Sequence, residues 1–169
     1  MRELYIGCDN GVTGTIGFIS GTYSTMYKTP VKLEQSYTKK KQNISRVQVG
    51  ALRGMIQGAM EDNDVTAQHT RVMIERPMVN PGRFKATLSA MRALEATLNV
   101  VELLGIGYEY CDSKEWQKAL LPQGIKGEEL KKASADIGKR LYPHLSSQIG
   151  KHKDADGLLI SHFLMLKYK

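Results

Sequence analysis

The sequence predicts an α/β fold in which helices flank a five-stranded mixed sheet. Two patterns carry this prediction. Near the N-terminus, three short strand-like segments follow one another and are separated by glycine-containing turns, which is typical of an antiparallel meander. Further along, two more strand-like segments alternate with amphipathic helical segments. This alternation favours parallel strands that extend the meander through right-handed crossovers.

The predicted meander covers residues 4–8, 15–19 and 22–27. Asp9-Asn10-Gly11 follows the first strand and Ser20-Gly21 follows the second, and both are turn signals. The polar stretch 34–43, which includes three consecutive lysines, predicts a solvated loop. These segments account for three of the five expected strands.

The remaining strands are predicted at residues 71–75 and 108–111. Apolar residues repeat at steps of three and four between them and around them, as on one face of a helix. The predicted helices begin at Ile44, run from Leu88 to Val101, follow Ser113 as a cap, and cover residues 128–142 and 155–167. The order is therefore β-β-β-α-β-α-β-α-α-α.

Length and charge limit the function. The chain has 169 residues, so residues 1–169 are expected to form a single domain. Its 24 Lys and Arg outnumber its 17 Asp and Glu, and a net charge of +7 favours a nucleic-acid partner. We expect a cytoplasmic protein with no membrane contact, because the sequence has neither a spanning apolar run nor a signal peptide. Cys8 and Cys111 lack metal-ligand spacing and are expected to be small buried residues.

Three carboxylates stand at the ends of predicted elements. Asp9 ends the first strand, Glu75 ends the fourth, and Asp156 begins the last helix. Each acid alone is compatible with an ordinary exposed position, and a helix N-terminus favours an acid in any case. Sites in open α/β sheets form beyond the carboxyl ends of the strands, so the three acids would meet if the first and fourth strands are neighbours. Converging carboxylates favour Mg²⁺ or Mn²⁺, and two such ions support phosphodiester cleavage.

The segments around these acids resemble motifs of the RuvC-type Holliday-junction resolvases, which have a ribonuclease H-like fold. The similar segments are Tyr5-Ile6-Gly7-Cys8-Asp9-Asn10-Gly11 with the following Thr13–Gly17, Ile74-Glu75-Arg76-Pro77, and Asp154-Ala155-Asp156-Gly157-Leu158-Leu159. They occur in the family's order and span nearly the whole chain, and the loose match is typical of a phage-type member. The resemblance implies a homodimeric nuclease that uses Mg²⁺, or Mn²⁺ as a substitute, to resolve four-way junctions and other branched DNA by paired nicking.

The resemblance also implies roles for individual residues. It makes the three acids metal ligands. Family members usually carry a further ligand three residues before the last acid, where this chain has Lys153. We expect Asp154 to take this role because oxygen suits the metal, and His152 remains an alternative.

A basic residue near the scissile phosphate is implied in the segment after the fifth strand. Lys118 is preferred there and Lys114 remains open. The loop 76–85 is expected to face the junction. The DNA-binding candidates are Arg76, Arg83, Phe84, Lys85, Lys114 and Lys118. Phe84 could stack on an opened base or instead pack against the helix that follows it.

Two helices carry patterns that are compatible with more than one role. One carries Lys131, Lys132, Lys139 and Arg140, which form either a phosphate-binding face or a solvated surface. The other carries an apolar stripe, and its burial is expected to be shared between the core and a second subunit. The stripe consists of Leu88, Met91, Leu94, Leu98 and Val101. The single tryptophan, Trp116, is expected in the core.

Other classes of protein share parts of this pattern. Asp9-x-Gly11-x-Thr13 also resembles the phosphate-binding turn of actin-like and sugar-kinase-like ATPases, which enclose the nucleotide between two such domains. A length of 169 residues suits one domain and disfavours an ATPase of this kind. Three further functions compete with the resolvase: a ribonuclease H acting on RNA–DNA hybrids, a general debranching nuclease, and a non-catalytic nucleic-acid-binding module of the same fold.

Overall fold

The computed structural model describes residues 2–169. Five strands form its main sheet in the spatial order β3-β2-β1-β6-β7. They are β1 (Leu4–Cys8), β2 (Thr15–Ser20), β3 (Tyr23–Lys28), β6 (Thr70–Glu75) and β7 (Gly107–Cys111). The first three strands are antiparallel to one another, whereas β6 and β7 extend the sheet in parallel to β1. The predicted five-stranded mixed sheet is confirmed.

Helices cover both faces of this sheet. They are α1 (Val49–Asp62), α2 (Phe84–Leu103), α3 (Ser113–Leu120), α4 (Glu128–Leu141), α5 (Ser146–His152) and α6 (Asp156–Tyr168). Successive side chains of a strand point to opposite faces. Leu4 and Ile6 accordingly pack with α1 and α2, and Tyr5 packs with α6. Within residues 2–169, no helix is long and apolar enough to cross a membrane.

Three glycines bring α6 against the centre of the sheet. A side chain at Gly7 would overlap the backbone of Ser161, and one at Gly17 would overlap the backbone of Leu158. A side chain at Gly157 would in turn overlap the backbone of Thr15. Because no Cβ separates the two elements, the N-terminal end of α6 rests directly on β1 and β2. This close approach fixes the position of Asp156.

The loop predicted at residues 34–43 and the helix predicted from Ile44 exist, but both are shorter than expected. Two further strands, β4 (Val31–Gln35) and β5 (Asn43–Val47), form a hairpin in which Val31 pairs with Val47. Ile44 and Val47 matched a helical spacing, but both are β-branched and favour a strand. Helix α1 begins only at Val49. Residues 36–42 alone connect the two strands.

Two smaller expectations also differ from the structure. Asp112, not Ser113, is the N-cap of α3, and its backbone N–H donates to the Glu115 side chain at 3.0 Å. Helix α5 was not predicted. The apolar stripe of α2 is only partly buried, because Val101 is its one fully buried member and Met91 is 42% exposed. Trp116 is in the core, as expected, and both cysteines are buried and free.

Candidate active site

The ends of β1 and β6 place two of the predicted acids side by side. The parallel register of these strands pairs Cys8 with Ile74, so Asp9 and Glu75 follow paired residues at the same edge of the sheet. The Asp9 N–H donates to the Thr15 carbonyl at 3.0 Å, which closes the turn into β2. The first strand and the strand ending at Glu75 are neighbours, which was the condition for the predicted meeting of Asp9 and Glu75.

The start of α6 brings two more carboxylates to this edge. Asp156 is the first residue of α6, and Asp154 precedes it by two residues. The buried Thr15 side chain connects this segment to β2, because its Oγ1 accepts from the Gly157 N–H at 3.0 Å. The same hydroxyl donates to Asp154 Oδ1 at 3.4 Å. Residues far apart in the sequence therefore meet beyond the strand ends.

The four acids lie close enough to repel one another. Burial raises the pKa of Asp9 well above its usual range, and the negative charges of Asp156, Glu75 and Asp154 raise it further. Burial, with a smaller contribution from Asp154, raises the pKa of Asp156 to about 6. Burial also raises the pKa of Glu75, to which the charge of Asp156 adds. We call Asp9, Glu75, Asp154 and Asp156 the acid cluster.

Besides Thr15, two neutral side chains donate hydrogen bonds to carboxylates of the acid cluster. Trp116 Nε1–H donates to Glu75 Oε2 at 2.6 Å. Ser134 Oγ donates to Asp156 Oδ1 at 2.5 Å and accepts from the Ala155 N–H at 3.1 Å. Both donors are only 1% exposed. These hydrogen bonds lower the pKa of the two carboxyls and so oppose the larger effect of burial.

Lys131 supplies positive charge near the acid cluster. This α4 side chain lowers the pKa of both Asp9 and Asp156, although it forms no ion pair with either. From sequence, Lys131 belongs only to a phosphate-binding or solvated face of its helix, and no pattern singles out Ser134. The spacing of three residues already put these two side chains on one face of a helix. No sequence pattern indicated which acids that face would meet.

The chemistry of the acid cluster fits a hard divalent cation. Its donors are carboxylate oxygens, which Mg²⁺ and Mn²⁺ prefer, and within residues 2–169 no Lys, Arg or His forms an ion pair with them. As the side chains stand, however, no three His, Cys, Asp or Glu residues in this range are gathered closely enough to hold a metal ion. Joint ligation therefore requires the carboxylates to rotate toward a common point.

Lys153 and His152, the alternatives to Asp154, occupy the turn between α5 and α6. Lys153 is exposed and has a left-handed backbone with φ of 62°, which ends α5. His152 has a buried Nδ1 without a hydrogen-bond partner, and burial lowers its pKa. Of the three residues, Asp154 is the one whose charge raises the pKa of Asp9. Its role as a ligand stays a prediction.

The predicted DNA-contacting residues lie outside the acid cluster. Lys114 and Lys118 lie on α3 and line a pocket of about 250 Å³ with Gln117. Arg76 forms an exposed ion pair with Asp112 at 2.9 Å.

The other predicted DNA-binding residues lie in the exposed segment after β6. Arg83, Phe84 and Lys85 are all exposed at the start of α2. Phe84 is 70% exposed, which disfavours the alternative that it packs against its own helix. Contact of these residues with DNA, like that of the two lysines on α3, stays a prediction.

Comparisons with known proteins identify the fold. No protein-family model matches the chain, and a search of curated proteins finds no match. The structure is similar to T. thermophilus RuvC in complex with Holliday junction substrate, with 13% identity and a TM-score of 0.54 over 94% of this chain and 90% of that chain. It is also similar to a Thermus thermophilus RuvC structure, with 15% identity and a TM-score of 0.51 at the same coverage. The chain therefore has a RuvC-type fold, and the predicted ribonuclease H-like architecture is confirmed.

Proposed function

We propose that the protein is a metal-dependent DNA endonuclease that resolves Holliday junctions and other branched DNA by paired nicking. The observation that carries this proposal is the acid cluster, which gathers at the carboxyl ends of β1 and β6 without a basic partner among residues 2–169. A pure binding module has no use for clustered acids that face phosphate. The similar T. thermophilus RuvC is in complex with Holliday junction substrate, which supports branched DNA as the substrate class.

Mg²⁺ is the proposed cofactor, with Mn²⁺ as a substitute. Asp9, Glu75, Asp154 and Asp156 would hold it. When bound, such ions activate a water molecule and stabilise the leaving oxygen in phosphodiester cleavage. The chain itself contributes the oriented carboxylates, and Lys118 is proposed as the basic residue nearest the scissile phosphate.

The DNA-binding surface is proposed from charge and exposure. A net charge of +7 attracts the phosphate backbone, and the basic residues around loop 76–85 and α3 would contact it. Phe84 is exposed and free to stack on an opened base.

Paired nicking requires two active sites, which a symmetric homodimer supplies. The partly buried stripe of α2, with Met91 exposed, offers an apolar surface for the second subunit. We place this activity in DNA recombination and repair in the bacterial cytoplasm, with a host or phage gene as its source.

A cleavage panel tests the proposed function. A labelled four-way junction, a linear duplex of matched sequence and an RNA–DNA hybrid are each incubated with Mg²⁺, Mn²⁺ or EDTA. We expect paired, symmetric nicks in the junction alone, and only with a metal. Cleavage of the hybrid instead would make the protein a ribonuclease H. No cleavage of any substrate would contradict the nuclease and favour a binding module.

A further inference from the structure

Trp116 reaches the acid cluster from a helix whose start is fixed by the sheet. Pairing of β6 with β7 places Cys111 beside Glu75, and α3 begins directly after β7. The indole of Trp116 is buried, and its N–H contacts the Glu75 carboxylate rather than a backbone carbonyl. A phenylalanine at this position would lack the donor. The polar atom of this core residue is therefore directed at an acid.

Ser134 reaches the cluster from a different helix. Gly138 lies one turn further along α4, and a side chain there would overlap Ala155. This close packing brings α4 against the turn that precedes α6. The buried Ser134 hydroxyl then bridges two neighbouring groups of that turn, the Ala155 N–H and the Asp156 carboxylate.

Each donor contacts one oxygen of its carboxylate. Trp116 contacts Glu75 Oε2, and Ser134 contacts Asp156 Oδ1. Within residues 2–169, the second oxygen of each carboxylate accepts no side-chain hydrogen bond. An acid that is held by one oxygen keeps its other oxygen for a different partner, and it loses rotational freedom before that partner arrives.

We propose that Trp116 and Ser134 are positioning residues that orient Glu75 and Asp156, so that each presents one free oxygen to a bound divalent cation. The inference rests on the proposed metal-dependent function. It adds to the metal site two residues that lie outside the acid cluster. Partners that orient metal ligands typically change metal affinity by about 10-fold to 100-fold when they are removed. An effect of this size separates positioning from simple packing.

Calorimetric titration of the protein with Mn²⁺ tests the proposal. We expect Trp116→Phe and Ser134→Ala each to weaken Mn²⁺ binding by at least about 10-fold. Two matched controls lose equivalent hydrogen bonds elsewhere. Ser161→Ala removes a buried hydroxyl that donates to the Tyr5 carbonyl at 2.8 Å, and Tyr142→Phe removes a hydroxyl that hydrogen-bonds His162 at 2.6 Å. Both controls should stay within about 2-fold of the wild type, since neither contacts an acid of the cluster.

The fluorescence of Trp116 gives a second readout that does not require its replacement. Trp116 is the only tryptophan, so all tryptophan emission reports this position. We expect Mg²⁺ to change the emission of the wild type, and Asp9→Asn to abolish the change. Ser134→Ala should shift the Mg²⁺ midpoint upward by at least about 10-fold. This arm keeps the test decisive if Trp116→Phe does not fold.

The outcomes distinguish a failure of the positioning role from a failure of the proposed metal-dependent function. If both positioning variants bind Mn²⁺ like the two controls while Asp9→Asn loses binding, Trp116 and Ser134 only pack and the inference is wrong. The metal site would then stand. If the wild type binds no Mn²⁺ and shows no emission change with Mg²⁺, the proposed metal-dependent function and the inference both fail.

Discussion

The carboxylates of this protein occupy two contrasting settings. Three acids outside the acid cluster pair with basic side chains: Glu34 with Lys32 and Arg46, Asp112 with Arg76, and Glu109 with Lys167. Acids of the acid cluster have no such partner within residues 2–169, and three of them accept hydrogen bonds from neutral side chains instead. The basic side chains beside Glu34 lower its pKa, whereas burial and neighbouring acids raise the pKa of Asp9.

The two groups of acids differ in their effect on stability. An exposed ion pair contributes only about 0–1 kcal/mol to stability, so these paired acids have little effect on the free energy of unfolding. Buried carboxylates that repel one another destabilise the metal-free protein unless they bind protons or a cation. Groups with such perturbed pKa values concentrate at functional sites. The following predictions test this contrast, beginning with the largest expected effect.

Replacing one acid of the cluster should abolish cleavage. We expect Asp9→Asn to reduce junction cleavage by more than about 100-fold, because a direct ligand matters more than the residues that orient ligands. Folding and junction binding should persist, as gel-shift and circular dichroism measurements would show. The matched control, Glu34→Gln, removes a paired surface acid and should cleave at nearly the wild-type rate. Normal cleavage by Asp9→Asn would mean that the active site is misplaced.

The metal-free protein should lose stability as the pH rises. Because the pKa of Asp156 is raised to about 6 in the folded protein, its protonated form favours folding below its unfolded pKa, and this contribution disappears as the pH passes 6. A pKa raised from its ordinary value to about 6 corresponds to about 3 kcal/mol. Urea unfolding across this pH range measures how much of the free energy of unfolding the wild type and Asp156→Asn each lose. An equal loss in the two proteins would show that the pKa of Asp156 is not raised. Saturating Mg²⁺ should reduce the wild-type loss.

The substitution that impairs cleavage should also improve stability. In the absence of metal at neutral pH, Asp9→Asn should raise the free energy of unfolding by about 1 kcal/mol, because it relieves a buried repulsion at the cost of function. Glu34→Gln should change it by no more than about 0.5 kcal/mol. Denaturant midpoints compare the two variants. Equal changes in the free energy of unfolding would mean that buried and paired surface acids do not differ in this respect.

The smallest effect is expected at Lys131. Its charge lowers the pKa of Asp9 and Asp156, so Lys131→Met should destabilise the metal-free protein in alkaline, low-salt buffer. The side chain is exposed and solvent screens it, which limits the effect to about 0.5 kcal/mol. Added salt should remove the effect. Lys132→Met is the matched control, and an equal change there would show that only net charge matters.

The sequence predicted the arrangement of the sheet and the convergence of the acids. Short apolar strands ending at Asp9 and Glu75 predicted that the two acids would meet if these strands paired. The structure supplied the pairing. Local patterns were ambiguous elsewhere. Ile44 and Val47 fitted a helical period, yet the hairpin that pairs β5 with β4 determines their structure. Helical spacing on α2 likewise did not distinguish residues that face the core from residues that remain exposed.

Partners of the acids could not be predicted because they are tertiary contacts. Trp116 is 41 residues from Glu75, and Ser134 is 22 residues from Asp156. Nothing in the composition of α3 or α4 specifies which acid each helix meets. Their positions follow from β7 pairing and from the close packing at Gly138. The chemistry of the acids could be inferred from the sequence, whereas their orientation required the three-dimensional structure.

Crystals of the protein soaked with Mn²⁺ would test the central claim most directly. We predict an anomalous difference peak among Asp9, Glu75 and Asp156, about 2 Å from their carboxylate oxygens. Trp116 should still contact Glu75 Oε2 in the same crystal. The account is contradicted if that position shows no peak while Mn²⁺ binds beside paired surface acids such as Glu109.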